Sequence, residues 1–267
     1  MSSTSGDLLQ TILAATRRTV EHRKSVQPEA VLDRAAAERR PRANGLLEAL
    51  RAPGRLNVIA ECKRRSPSKG ILRAEYVPAA TAQAYERAGA AAVSVLTEPT
   101  FFDGSLTDLA RVTRAVSVPV LRKDFVVDQY QLVEARAAGA SAVLLIVAAL
   151  DDRSLARLLR AATSLGLASL VEVHEREELD RAVEAGARIV GVNARNLRTL
   201  QVSADIVLAL GSAIPDDVIA VAESGIRSGA DVRALRETGY DAFLVGERLM
   251  TAEDPGRALR ELMEERA

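Results

Sequence analysis

Residue types that build covalent or metal-bound clusters are scarce in this sequence. It has one cysteine, Cys62, which excludes an internal disulfide and a cysteine-based zinc site. With only two histidines, His22 and His174, a histidine-rich metal site is not expected either. Tryptophan is absent, and aromatic residues make up only 3% of the chain. We therefore expect a protein without a bound metal ion.

Neither sign of charge is in excess, and no apolar run is long. Lys plus Arg and Asp plus Glu both count 36, which leaves no overall field for nucleic acid or an anionic membrane. The longest apolar run, residues 142–150, is too short to span a bilayer. The first residues, MSSTSGD, lack the basic-then-apolar layout of a signal peptide. We expect a cytoplasmic protein that binds neither nucleic acid nor membrane.

A strand-like run followed by an amphipathic helical segment recurs eight times. Strict alternation of this kind is typical of parallel strands joined by helices, and eight strands close a barrel. The competing architecture, an open doubly wound sheet, usually has a GxGxxG loop after its first strand, and none follows Glu61. The strand runs lie near residues 57–62, 91–96, 118–122, 141–147, 167–173, 188–193, 218–223 and 241–246, and the helical segments near 78–88, 105–115, 128–138, 151–165, 175–185, 203–211, 228–238 and 255–265.

Helix-ending glycines and an N-terminal segment complete the outline. Three helical segments end in Ala-Gly-Ala and a fourth in Thr-Gly-Tyr, and glycine suits the left-handed residue that stops a helix. Residues 7–40 and 45–51 read as further helices that are too short for a separate core. The prediction is a (β/α)8 TIM barrel formed by residues 1–267 as a single domain, with residues 1–50 as an N-terminal helical extension.

Charged residues stand where the odd-numbered strands end. Glu61 and Lys63 end the first strand and share a face, because residues two apart in a strand point the same way. Lys123, Glu172 and Glu223 end the third, fifth and seventh. One such pair can be a buried ion pair, and a lone charge is usually a surface residue. Alternate strands share one layer of a barrel, however, so these side chains are predicted to ring a site for acid–base catalysis.

Two groups of residues favour a phosphorylated ligand. Ser224-Gly225 and Gly246-Glu247 follow the last two strands, where barrels of this kind usually bind phosphate. Ordinary turn preference explains the two glycines equally well. A cationic lip in the loop after the first strand would suit a small polyanion, unless it is only a solvated loop. Its members are Arg64, Arg65, Lys69 and Arg73.

The remaining candidates are apolar or lie in loops. Phe101 and Phe102, after the second strand, either line a pocket for a flat ring or cap the barrel. An aromatic ligand would also rely on aliphatic side chains such as Leu144 and Ile146. Cys62 is predicted to be a core residue, since it points away from the face of Glu61, and His174 is predicted to be a loop residue.

Taken in series, these motifs resemble the indole-3-glycerol phosphate synthase family. The likeness spans residues 57–250, and the N-terminal helices fit the extension found in that family. It is carried by Glu61-Cys62-Lys63, Ser66-Pro67-Ser68, Leu96-Thr97-Glu98, Phe102-Asp103-Gly104-Ser105, Leu121-Arg122-Lys123-Asp124-Phe125, Val143-Leu144-Leu145-Ile146, Val171-Glu172-Val173, Gly191-Val192-Asn193-Ala194-Arg195-Asn196-Leu197 and Ala222-Glu223-Ser224-Gly225-Ile226.

The resemblance implies a TIM-barrel carboxy-lyase of tryptophan biosynthesis without a metal or organic cofactor. Its substrate would be 1-(2-carboxyphenylamino)-1-deoxyribulose 5-phosphate, which closes a ring with loss of carbon dioxide and water to give indole-3-glycerol phosphate. Lys123 matches the family's general acid and Glu172 its general base. Lys63 matches a lysine assigned either to the substrate carboxylate or to the second proton transfer. We expect a monomer with this small phosphorylated substrate as its partner.

The other matched positions are implied to bind or orient substrate. Glu61, Asn193, Arg195 and Glu223 match polar residues that orient it and tune the lysines; Ser66, Ser224, Gly225 and Gly246 match positions near the phosphate; and Phe102, Leu144 and Ile146 match the apolar wall.

One position departs from the family pattern. Many members have Gly-Ser after the eighth strand, whereas this chain has Gly246-Glu247. A carboxylate facing a bound phosphate would repel it. We therefore predict that the backbone N–H of Glu247 contacts the phosphate and that its side chain turns to solvent.

Three other activities fit parts of the same pattern. A class I aldolase would use Lys123 or Lys63 as a Schiff-base nucleophile. Phosphoribosylanthranilate isomerase shares the scaffold, but its acid–base pair does not suit this set of lysines and glutamates. A phosphosugar-binding barrel without catalysis would not need so many opposed charges in one mouth.

Overall fold

The computed structural model describes residues 8–39, 43–194, 204–226 and 228–264, and its centre is a closed barrel of eight parallel strands. Each strand pairs with its sequence neighbours, and the last pairs with the first, which confirms the predicted (β/α)8 architecture. The strands are β1 (Asn57–Cys62), β2 (Ala92–Leu96), β3 (Val120–Lys123), β4 (Ala142–Ile146), β5 (Ala168–Val173), β6 (Ile189–Val192), β7 (Ile219–Ala222) and β8 (Ala242–Val245).

Helices precede the barrel and follow each of its strands. Gly89, Gly139, Gly186 and Gly239 end four of the helices with φ between 87° and 100°, the left-handed conformation predicted for them. The helices are α1 (Leu8–Val26), α2 (Glu29–Ala37), α3 (Ala43–Leu50), α4 (Pro78–Arg87), α5 (Leu106–Ala115), α6 (Gln129–Ala137), α7 (Asp152–Ser164), α8 (Arg176–Glu184), α9 (Ala204–Gly211), α10 (Gly229–Glu237), α11 (Glu247–Thr251) and α12 (Pro255–Glu264).

Strand residues alternate between two apolar layers. One set, including Val58 and Cys62, packs against the helices, and the other, including Ile59 and Leu121, fills the barrel interior. Cys62 is therefore a core residue, as predicted, and burial raises the pKa of its thiol. The same alternation turns Glu61 and Lys123 inward, because each lies two residues beyond an interior residue, Ile59 or Leu121.

The N-terminal helices pack on both ends of the barrel. Helix α1 lies along the C-terminal rim, where the Tyr130 hydroxyl donates to the carbonyls of Arg23 and Gln27. Helix α3 lies at the opposite end, where the side-chain amide of Asn57 donates to the carbonyl of Leu50. Apolar side chains of both helices belong to the interior layer. Among the described residues, no helix is both long and apolar enough to cross a membrane.

Three short elements were not predicted. Arg65–Ser66 and Gly70–Ile71 form an antiparallel ribbon in the loop after β1, and Val147–Ala149 form one turn of 3₁₀-helix after β4. Segments of two or three residues are too short to show a period in the sequence.

A buried ion-pair network holds the end of β3. The guanidinium of Arg122 has 0% exposure and donates to the carboxylates of Asp124 and Glu134, at 2.8 and 3.1 Å. It also donates to the hydroxyl of Thr97, and Glu134 accepts a second bond from Arg23 of α1. The network therefore ties the N-terminal extension to the strand that carries Lys123.

Replacing Arg122 by methionine is expected to lower the free energy of unfolding by about 3–5 kcal/mol, because two carboxylates would stay buried without their counter-charge. Urea denaturation measures this. The control is Arg111→Met, which removes an exposed pair with Asp108 and should cost less than about 1 kcal/mol. Equal losses in both variants would contradict the network's role.

Candidate active site

A cavity of about 550 Å³ opens at the C-terminal end of the barrel. Most of the sequence-predicted site residues line it. Ser66 does not; its hydroxyl accepts a bond from the backbone N–H of Lys69 nearby. Arg195 lies outside the described residues. The predicted residues that line the cavity are Glu61, Lys63, Phe102, Lys123, Leu144, Ile146, Glu172, Asn193, Glu223, Ser224, Gly225, Gly246 and Glu247.

Glu61 and Lys63 form an ion pair at the end of β1. Their side chains lie on one face, and Lys63 Nζ is 2.5 Å from Glu61 Oε1. Burial by itself would raise the pKa of Glu61, but the charges of Lys63 and Lys123 outweigh it and lower that pKa. Glu61 therefore remains ionised inside the cavity.

Lys123 lies between two carboxyl groups from distant parts of the chain. Its Nζ is 3.1 Å from Glu172 Oε2 and 3.4 Å from Glu223 Oε2. Both glutamates have side chains only 1% exposed. β3, β5 and β7 deliver these residues to one layer, since side chains of alternate strands meet in a barrel interior. The structure thus brings together the charged side chains at the ends of β3, β5 and β7.

The two glutamates have their pKa values pushed apart. Burial opposes the charge of Lys123, but the surrounding carboxylates outweigh it and raise the lysine's pKa. Burial would likewise raise the pKa of Glu172, but Lys123 and His174 lower it. Burial and the neighbouring charge of Glu172 raise the pKa of Glu223 well above its usual value. The site therefore holds an ionised base, a protonated amine and a carboxyl group that resists ionisation.

Two glycines make room for these carboxyl groups. A β-carbon on Gly191 of β6 would overlap Glu223 Oε1, and one on Gly246 would overlap Glu61 Oε1. The sequence pointed to Gly246 only as a phosphate position and assigned no role to Gly191. Both contacts join neighbouring strands that are distant in sequence, and no local pattern reports them.

One side of the cavity is apolar. Phe102, Leu144 and Ile146 line it, joined by Phe125, which sequence reasoning missed. The rings of Phe102 and Phe125 lie 6.2 Å apart between centroids. The carboxylate of Glu98 accepts backbone N–H bonds from residues 100–102 and so fixes the loop that carries Phe102. Two aromatic rings and two aliphatic side chains on one wall favour a pocket for a flat ring over a simple cap on the barrel.

The opposite side of the cavity carries glycine backbone and cations. Gly225 has a φ of 81°, a left-handed conformation that favours glycine, and it lines the cavity beside Ser224. The hydroxyl of Ser224 accepts a bond from the N–H of Ala194 at 2.6 Å. Lys69 and Arg248 also line this end.

Glu247 lies at the rim of the same end. Its side chain is 36% exposed, and its Oε1 lies 2.6 Å from Lys69 Nζ. The side chain is thus neither fully in solvent nor deep in the cavity, because the ribbon after β1 places a lysine beside it.

The basic residues of the predicted cationic lip make different contacts. Arg64 pairs with Asp103, and Arg73 donates to the carbonyls of residues 250, 252 and 253, which ties the loop to α11. Of these two and Lys69, only Lys69 lines the cavity. No cluster of three or more His, Cys, Asp or Glu side chains in the described parts of the chain could hold a metal ion.

Comparison with known proteins gives one family. The family model described as indole-3-glycerol phosphate synthase matches residues 9–262. The indole-3-glycerol phosphate synthase of Mycolicibacterium gilvum is 51% identical over 97% of this chain and 94% of its own. That of Micrococcus luteus is 52% identical over 95% of this chain and 96% of its own.

Solved structures show the same fold at low identity. Thiamine phosphate pyrophosphorylase from Pyrococcus furiosus superposes with a TM-score of 0.59 at 19% identity. The match covers 78% of this chain and 94% of that one. This likeness concerns the barrel alone.

Proposed function

The chain belongs to the indole-3-glycerol phosphate synthase family, and we propose here how its residues divide the chemistry of that enzyme. The reaction converts 1-(2-carboxyphenylamino)-1-deoxyribulose 5-phosphate into indole-3-glycerol phosphate, carbon dioxide and water. The protein is therefore a carboxy-lyase of tryptophan biosynthesis. The observation that supports our assignment is Lys123 held between Glu172 and Glu223 beside an apolar wall.

Lys123 is the acid of ring closure. The aromatic carbon that bears the carboxylate attacks the ribulose carbonyl, a carbon–carbon bond forms, and negative charge develops on the carbonyl oxygen. Lys123 carries the proton that this oxygen requires, because three carboxyl groups raise the lysine's pKa. Lys63 supplies a further positive charge at the end of β1, where it can bind the substrate carboxylate.

Glu172 is the base of the later dehydration. The carboxylate leaves as carbon dioxide, and the electrons of the broken carbon–carbon bond stay on the aromatic ring and restore its aromaticity. The new hydroxyl then departs as water and a proton leaves the newly formed ring. Glu172 is ionised and takes that proton, while one of the two lysines protonates the departing hydroxyl. The 3.1 Å contact with Lys123 returns the proton from Glu172 to the amine. Each turnover consumes one proton from solvent, because the carboxylate leaves as neutral carbon dioxide.

The remaining residues position the substrate. Phe102, Leu144 and Ile146 hold the anthranilate ring, and Glu61 and Asn193 orient its polar groups. Backbone N–H groups near Ser224, Gly225 and Gly246 bind the phosphate together with Lys69. We assign Ser66 to the phosphate loop and Arg195 to substrate binding through the family pattern alone. No step in this assignment calls for a metal or an organic cofactor.

Product formation tests the function directly. The chain has no tryptophan, so mixing protein with substrate should produce indole fluorescence against a dark background. Binding without fluorescence would favour a non-catalytic phosphosugar-binding barrel. Borohydride added with a carbonyl substrate should trap no adduct on Lys123 or Lys63, whereas an aldolase would be trapped.

Glu247→Ser is expected to lower KM by about three- to tenfold with kcat unchanged. The substitution removes a carboxylate that competes with the substrate phosphate for Lys69. Steady-state kinetics at low ionic strength, where the effect is largest, provides the measurement. Glu253→Ser, at an exposed glutamate just after α11, is the control and should leave KM unchanged. A higher KM in Glu247→Ser would show that Glu247 assists binding instead.

We also propose that the protein acts as a monomer in the cytoplasm and folds as one domain over residues 1–267. Large exposed apolar side chains of the described residues are scattered over separate elements, which supports a monomer. Sedimentation equilibrium at micromolar concentration tests this, and a dimer mass would refute it. The scattered residues are Val26, Val31, Ile71, Val77 and Leu208.

A further inference from the structure

His174 is the first residue after β5 and lies beside the proposed base. It is two positions past Glu172 and therefore lies on the same face. Its Nε2 is 3.4 Å from Glu172 Oε1, and its Nδ1 is 3.1 Å from Glu178 Oε2 in the first turn of α8. The same oxygen of Glu178 accepts the backbone N–H of His174 at 2.7 Å. The predicted loop residue is thus a largely buried bridge between two carboxylates, with its side chain 13% exposed.

Each oxygen of the Glu172 carboxylate faces a different cation. Oε2 accepts a hydrogen bond from Lys123, and Oε1 faces His174. Nε2 of His174 is buried and has no hydrogen-bond partner within normal geometry among the residues that the structure describes. The imidazole ring is fixed through its Nδ1 contact with Glu178. Its Nε2 points toward Glu172 without forming a regular hydrogen bond to it.

We propose that His174 is a positioning residue for Glu172: its protonated ring, anchored by Glu178, keeps the Glu172 carboxylate ionised and turned towards Lys123. The inference rests on the proposed role of Glu172 as the base. It concerns a residue that acts through Glu172 and does not touch the substrate.

Charge favours the protonated ring. The charged groups that face the imidazole among the described residues are Glu172 from β5 and Glu178 from α8, with Lys123 of β3 beyond Glu172. Burial by itself lowers the pKa of the imidazole, but these two carboxylates raise it to about 10. Both ring nitrogens then carry protons at neutral pH, which matches the two carboxylate neighbours.

The catalytic cycle explains why a second cation is needed. Lys123 is neutral after it has protonated the carbonyl oxygen, so Glu172 loses that counter-charge shortly before it must act as the base. In a buried site a carboxylate without a counter-charge binds a proton. The charge of His174 does not take part in the reaction and therefore keeps Glu172 available throughout the cycle.

The test compares pH profiles of two histidine variants. His174→Gln should lower kcat about ten- to thirtyfold at pH 6 and less than about threefold at pH 8.5, with KM within about twofold. The acidic limb of the profile moves up because Glu172 without the imidazolium holds its proton to higher pH. The matched control, His22→Gln, removes the other, exposed histidine and should leave the profile unchanged. A loss in His174→Gln that is equal at every pH would overturn the proposal and leave a structural role.

A direct titration checks the charge of the ring. With two histidines in the chain, NMR of histidine-labelled protein gives two imidazole signals, and His22→Gln assigns them. The His174 signal should stay in its protonated form above pH 9 and titrate lower in Glu178→Gln, which should also show the shifted acidic limb in weaker form. A His174 signal that titrates near 6.5 would overturn the proposal, even if His174→Gln fails to fold. If wild-type protein forms no product while the ring stays protonated, the proposed function fails and the charge assignment stands.

Discussion

Replacing Lys123 by methionine is expected to lower kcat by about 10³-fold or more, with substrate binding kept within about tenfold. Methionine is one atom shorter than lysine and similarly unbranched, but it has no proton to give, so the oxyanion of ring closure forms without its acid. Single-turnover formation of indole fluorescence measures the chemical step, and calorimetry measures binding.

Two further variants separate this effect from a change in folding. Glu172→Gln should also abolish turnover and retain binding, because a group needed mainly in the transition state contributes little to the ground state. Lys24→Met removes a lysine of α1 that pairs with Asp128 outside the cavity and should leave kcat unchanged. If Lys123→Met lost binding while turnover per bound substrate stayed intact, the assignment of the acid would be wrong.

Gly191→Ala is expected to lower kcat about 10²-fold and the free energy of unfolding by about 1–3 kcal/mol. The new methyl group would overlap the carboxyl group of Glu223, which lies buried against Lys123. Displaced from this position, the carboxyl group would disturb the contacts that keep Lys123 and Glu172 aligned. Activity assays and urea denaturation on the same preparation give both numbers.

A double-mutant cycle identifies the target of that clash. In a Glu223→Ala background there is no carboxyl group to displace, so adding Gly191→Ala should have little further effect on kcat. An equal additional loss in that background would mean that the methyl group acts on something other than Glu223.

The order of elements could be read from the chain because its physical cause is local. The periods of two and of 3.6 residues, with glycines such as Gly89 and Gly139 at helix ends, placed the predicted strands and helices within a few residues of those observed. Eight alternating strand–helix units then indicated a closed barrel. Parallel strands need helical crossovers, and eight parallel strands are the number that closes a barrel.

The membership of the site also followed largely from the sequence. Alternation within a strand and the sharing of layers between odd strands are rules of geometry, so the order of residues alone places Lys63, Lys123, Glu172 and Glu223 at one mouth. The family resemblance added the substrate and the roles that the residues alone left open.

The tertiary structure decided which of these side chains are in contact and which neighbouring residues position them. Gly191 acquires its importance from the carboxyl group of Glu223 on the next strand, and His174 from Glu178, which the first turn of α8 brings back towards β5. Arg122 and Glu247 owe their partners to the packing of α6 and to the ribbon after β1. Such contacts join residues that are close only after the strands have paired in register and the loops have folded back. A periodic signal describes one segment at a time, and the distances between side chains of different segments are set by how those segments pack.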